Sequence, residues 1–178
     1  LDLVLNFAYI FEASEAETIV MGEAPENNDS LTENVQIEAP IQSASIVCVM
    51  DSGIQEKHKY LAPAIISDES VSLLPNNLNT SDEVAGGGHG TRVTGAVLYP
   101  RTIPSDGIYH LPCWIRNMRI LDENNCLPED VYPPKTIAIA VQKYNVESSP
   151  PTRIFNHSIG SRSSCEMKHM TSWAAEID

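Results

Sequence analysis

Five consecutive apolar residues, Ile46-Val47-Cys48-Val49-Met50, run into Asp51-Ser52-Gly53. A largely β-branched run with no polar alternation has no face to give to water. It suits a parallel strand covered on both sides, and so an α/β fold with helices on both faces of the sheet. In open α/β sheets, working groups collect at the carboxyl ends of strands, which is where Asp51 stands. Gly53 permits the sharp turn that must follow. The rest of the chain has a matching pattern. Residues 114–121 and 153–158 read as further strands, and residues 91–98 as a short helix stopped by Pro100. Residues 136–146 read as a helix, with Ile137, Ala140, Val141 and Tyr144 spaced along one face. Residues 166–178 read as another, with Met167, Met170, Ala174 and Ile177 on one side. Strands alternating with helices imply a mostly parallel sheet with right-handed crossovers. Residues 54–85, punctuated by Pro63, Pro75, Asn76-Asn77 and Asp82-Glu83, read as loop.

Charge divides the chain. Of a net −13, residues 1–56 hold eleven Asp and Glu and no Lys or Arg, while the remainder is close to neutral. With no basic patch, nucleic acid is excluded as the expected partner. Residues 22–40 are polar and acidic, broken by Pro25, Asn27-Asn28 and Pro40, and read as a linker; an acidic clamp on a basic partner is the other reading. Ahead of it, Leu3-Val4-Leu5 and Phe7-Ala8-Tyr9-Ile10-Phe11 read as the tail of an upstream domain. The expected division is 1–42, upstream segment and linker, and 43–178, the folded domain. No apolar run is long enough to cross a membrane as a helix, so no membrane partner is expected. The four cysteines form no CxxC pair, so zinc is not expected and reduced thiols are. That favours the cytoplasm, with secretion the alternative. Cys48 reads as a buried free thiol.

The chemistry lies in two motifs 38 residues apart. Asp51 ends a strand, and His89 opens a helix in Gly88-His89-Gly90-Thr91-Arg92-Val93-Thr94-Gly95. A hydroxyl nucleophile needs a base, and a base near neutral pH is best made from a histidine. That histidine must be fixed in one tautomer, which a carboxylate on its other nitrogen does. Asp51 is the candidate orienter and His89 the candidate base. Each taken alone would be an ordinary turn or capping residue.

The pattern resembles the subtilisin-like serine proteases, the subtilases. Asp51-Ser52-Gly53 is similar to the family's Asp-Ser/Thr-Gly segment, and His89-Gly90-Thr91-x-Val93-x-Gly95 to its histidine segment. Asn156-His157-Ser158-Ile159-Gly160 resembles the strand that lines the family's substrate cleft. The resemblance implies a three-layer α/β fold and peptide hydrolysis by an Asp-His-Ser triad. It also implies pairing of Ser158, Ile159 and Gly160 with an extended polypeptide substrate. No Gly-Thr-Ser-x-Ala-type segment follows Gly160, and the family's oxyanion-hole Asn segment is absent. The expectation is the N-terminal half of a peptidase domain, incomplete and inactive alone, with the nucleophile supplied by the missing half or another chain. A catalytically inactive module binding extended peptides or a partner chain is the alternative, and an unrelated α/β binding domain is a third reading. Family members often bind calcium, but no acidic calcium loop is visible, and no cofactor or metal is expected.

Two residues depart from the family's pattern. Arg92 stands where many members have a second histidine, and His157 replaces an apolar residue. Gly86-Gly87-Gly88 lacks a following Gly-Lys-Ser/Thr, which excludes a phosphate loop. His157 has no second ligand at metal spacing, and His58, His110 and His169 read as surface residues.

Overall fold

The computed structural model of the protein describes residues 19–20, 34–85, 88–161 and 171–178. The strands are β1 Ile19–Val20, β2 Asn34–Glu38, β3 Ile46–Asp51, β4 Val71–Ser72, β5 Asp106–His110, β6 Trp114–Arg119, β7 Ile154–Asn156 and β8 Gly160–Ser161. The α-helices are α1 His89–Leu98, α2 Pro133–Val141 and α3 Ser172–Ile177. The apolar runs at 3–11, the stretch 21–33, Gly86-Gly87, Cys165, Met167, His169 and Met170 lie outside the described residues.

Four strands form an all-parallel sheet in the order β4-β6-β3-β7. β3 is central and buried along its whole length, as its unbroken apolar run requires. Its side chains alternate between two cores. Val47 and Val49 join Leu61, Leu98 and Ile115 on the face that α1 covers. Cys48 and Met50 join Met118, Ala140, Tyr144 and Trp173 on the face under α2 and α3. The chain is therefore layered helix, sheet, helix.

Several boundaries differ from the sequence reading. Residues 34–38, inside the stretch that reads as linker, form β2 and pair in parallel with β5. Val35, Ile37 and Tyr109 pack against the α1-side core, so this ribbon belongs to the body of the fold. Tyr109 stacks on Tyr99 at 5.2 Å and donates to Leu98 O at 3.1 Å, tying β5 to the end of α1. The stretch 54–85 contains β4 and two 3-10 turns, Ala62–Ala64 and Ser67–Glu69. α2 begins at Pro133, three residues early, because proline in the first helical turn lacks an N–H that would be unbonded anyway. Its last turn, Gln142–Val146, opens into a π-helix. The buried face is Thr136, Ala140 and Tyr144, and Val141 turns to solvent. In α3 the buried side chain is Trp173, while Ala174 and Ile177 are exposed.

β6 carries two buried arginines, one on each face. Arg116 donates to Glu69, to the carbonyls of Tyr144 and Pro150, and to Thr152 Oγ1. Arg119 donates to Asn79 O, Leu121 O and Glu83 Oε2, the last at 2.7 Å. Hydrogen bonds from Arg119, then Asn77 and Asn79, hold the Glu83 carboxyl below the usual carboxylate range. Arg119 thereby fastens the 77–83 loop beside the end of β3.

Candidate functional site

The carboxyl end of β3 delivers Asp51, 1% exposed, into the angle between the sheet and α1. Gly53 turns the chain away with φ +99°, a value side chains resist. His89 is the first residue of α1, and its Nδ1 lies 2.9 Å from Asp51 Oδ2 and 3.0 Å from Oδ1. A carboxylate oxygen accepts here, so the contact calls for a proton on Nδ1 and leaves Nε2 on the ring's other edge. The His89 side chain is 22% exposed, so the ring spans from buried carboxylate to surface. Ser52 N donates to Asp51 Oδ1 at 2.8 Å and fixes the carboxylate's orientation.

Gly90 lets the helix come this close to the strand. A Cβ there would stand 2.2 Å from Gly53 O and 3.0 Å from Asp51 Cβ. The first turn of α1 is capped from elsewhere in the chain. Its N-cap is Gly88, with no side chain to offer. Asp82, buried, accepts from Thr91 N at 3.1 Å and Thr91 Oγ1 at 2.8 Å. Ser52 Oγ accepts from Gly90 N at 3.0 Å and donates to Asp82 Oδ1 at 3.2 Å. The sequence reading puts Ser52 in the Asp51-Ser52-Gly53 segment and Asp82 in a loop, and gives neither a role at the site. The available signal was a helix that opens after glycine with a carboxylate a few residues upstream.

The third motif is placed differently. β7 is parallel to β3, with Val49 opposite Asn156. Asp51 and Ser158 thus each follow two residues later, off the same end of the sheet. β7 stops at Asn156, so Ser158 and Ile159 lie beyond the strand expected to hold them. Ser158 Oγ donates to Asn156 Oδ1 at 2.9 Å, a local bond that competes with ladder pairing. Ser158 and Gly160 are exposed, and Ile159 packs against the α3-side core. Gly160 pairs antiparallel with Val20 of β1.

A Subtilase family model (peptidase S8) matches residues 42–178. The chain belongs to the subtilase family. No curated protein matches it closely enough to count as a relative. The family is one of serine proteases, so polypeptides are the substrate class for this subtilase.

His157 sets its ring edge-on against Trp173 with centroids 5.1 Å apart, and among the described residues neither ring nitrogen has a hydrogen-bond partner. Burial lowers His157 to about 4, against an opposing pull from the Asp51 carboxylate. Arg92 follows on α1, half-buried. His58 lies near Tyr60 at the surface, and His110 meets Glu38 at 3.3 Å across the β2–β5 ribbon. Cys48, Cys113 and Cys126 are free thiols, and burial pushes Cys48 up to about 12. Among the described residues, no three His, Cys, Asp or Glu side chains converge at metal-binding distance.

Proposed function

We propose that this subtilase carries two members of a serine endopeptidase triad, Asp51 as orienter and His89 as general base. The carrying observation is the 2.9 Å contact between His89 Nδ1 and a buried carboxylate, with the ring's other edge toward solvent. His89 Nε2 takes the proton of a serine hydroxyl as that oxygen attacks the scissile carbonyl. It returns the proton to the departing amine, leaving an acyl-enzyme that water then cleaves by the same relay. Asp51 stays ionised and stabilises the imidazolium. The serine and its oxyanion-hole donor come from sequence outside these 178 residues. Residues 43–178 are the N-terminal half of the peptidase domain, and of the residues 1–42 that precede it β2 packs onto the same core. The backbone at Ser158, Ile159 and Gly160 receives the substrate as an added strand.

A fluorophosphonate probe tests this. The 178-residue chain should stay unlabelled. The protein with its nucleophile present should label, and lose the label when His89→Ala is introduced. Stoichiometric labelling of a serine in this chain, or labelling indifferent to His89→Ala, defeats the assignment. A second reading, an inactive module that binds extended peptides, is favoured by the β1–β8 pairing, in which an extended segment already lies on Gly160. Peptide binding without any labelling of the nucleophile-bearing protein would select it.

A further inference from the structure

Asp82 is a second buried carboxylate beside the site, and the proposed reaction does not use it. It is 4% exposed and accepts four hydrogen bonds, from Ser52 Oγ, Val84 N, Thr91 N and Thr91 Oγ1. Its backbone carbonyl accepts from Gln55 Nε2, and Gln55 N donates to Thr91 Oγ1 at 3.0 Å. One residue thus reaches the turn after β3 and the first turn of α1 together. The carboxylate fills the space over Gly88, where a Cβ would come within 1.8 Å of three of its atoms.

Helix first turns fray when their N–H groups lack partners. Here that turn holds His89. Rotation or fraying there would swing the ring off Asp51. An ordinary cap bonds only its own helix. Asp82 also bonds Ser52, whose N–H grips Asp51 Oδ1 at 2.8 Å and whose hydroxyl receives Gly90 N–H. Both halves of the His–Asp contact are therefore aligned by one side chain at one remove.

We propose that Asp82 is the positioning residue for His89, acting through Ser52 and Thr91 to lock the first turn of α1 onto the end of β3. This rests on reading Asp51 and His89 as the orienter and base. A negative charge at the helix's positive end adds to the hold.

The test combines kinetics of the nucleophile-bearing protein with nitrogen-15 histidine NMR, which reads the His89 tautomer directly. Asp82→Ala should lower kcat on the order of 100-fold, the scale of a small misplacement of a reacting group, with KM little changed. It should also convert the single Nδ1–H tautomer of His89 into a mixture. Asp82→Asn, which keeps an oxygen for Thr91, should recover most of both signals. Ser52→Ala should shift them in the same direction, and adding it to Asp82→Ala should cost little more. A folded Asp82→Ala protein with wild-type kcat and tautomer overturns the proposal. Should Asp82→Ala fail to fold, Ser52→Ala decides: wild-type kcat and tautomer there overturn it equally. A wild-type protein that cuts no peptide refutes the catalytic reading instead, and the tautomer measurement still decides whether Asp82 holds His89 on Asp51.

Discussion

Asp51 and Ser158 leave neighbouring parallel strands at the same end of the sheet, in contrasting surroundings. Around Asp51, the backbone of Ser52, the His89 ring, the Gly90 backbone and the Asp82 carboxylate close on one another in a buried network. Around Ser158, the hydroxyl bonds its own chain at Asn156, and Ser158 and Gly160 stand exposed. The first region is built to hold two side chains in one geometry. The second leaves Ser158 and Ile159 beyond any strand and has Gly160 paired with Val20 of β1. Under the proposed function, rigidity serves a proton that must move between fixed atoms, and the looser region serves a variable polypeptide that must lie along it.

The sharpest break of that comparison is Asp51→Asn. In the protein with its nucleophile, turnover should fall by about four orders of magnitude with the fold intact, because the ring loses its fixed tautomer. Near-normal turnover would make the carboxylate structural.

Gly90→Ala should be a damaging conservative change for stability. Its Cβ would meet Gly53 O at 2.2 Å, a backbone atom that cannot swing aside. A loss of about 2–3 kcal/mol in denaturant unfolding is expected, with His89 displaced. Unchanged stability would mean that α1 is not wedged against the β3 turn.

A smaller effect separates the two regions by pH. His157 in the folded chain takes a proton only at about 4, whereas an unfolded histidine does so near 6.5. Between those values the unfolded chain binds more protons, so stability is full above 6.5 and falls as the pH drops toward 4. The slope contributed is at most about 1.4 kcal/mol per pH unit. His157→Leu should flatten that part of the acid unfolding curve. An unaltered curve would show that His157 is hydrated in solution.

The mildest change is Gly160→Ala, where a Cβ would meet nothing within 4 Å among the described residues. Stability should stay within about 0.5 kcal/mol. A rise in KM without loss of stability would mark Gly160 as substrate-facing, and an unchanged KM would remove it from the cleft.

The parts legible in the sequence are those where one physical demand dominates. Ile46 to Met50 had to be a doubly covered strand, and His89 in its glycine-flanked motif had to begin a helix. Less was legible where the demand was shared. β2 lies in an acidic stretch because one of its faces is wet, and its partner β5 is a mostly exposed strand with no periodic signal. Two-residue β4 is defined by its neighbour β6 alone. Val141 left the expected helix face because that face is centred on Ala140, between Thr136 and Tyr144, and the next residue along points about 100° away from it. Asp82 was hidden because the partners that tie it to the site, Thr91 and Ser52, are 9 and 30 residues away, a separation that no local pattern records.

β3 sends alternate side chains into both cores, and that bears on how the site comes apart. A strand flanked by parallel neighbours and packed on two faces cannot open by a local excursion. Its amides should exchange with solvent only through cooperative disruption of the whole sheet, among the slowest in the chain. Asp51 caps that strand. The lifetime of its grip on His89 is then set by global unfolding on one side and, on the other, only by what the first turn of α1 can do by itself.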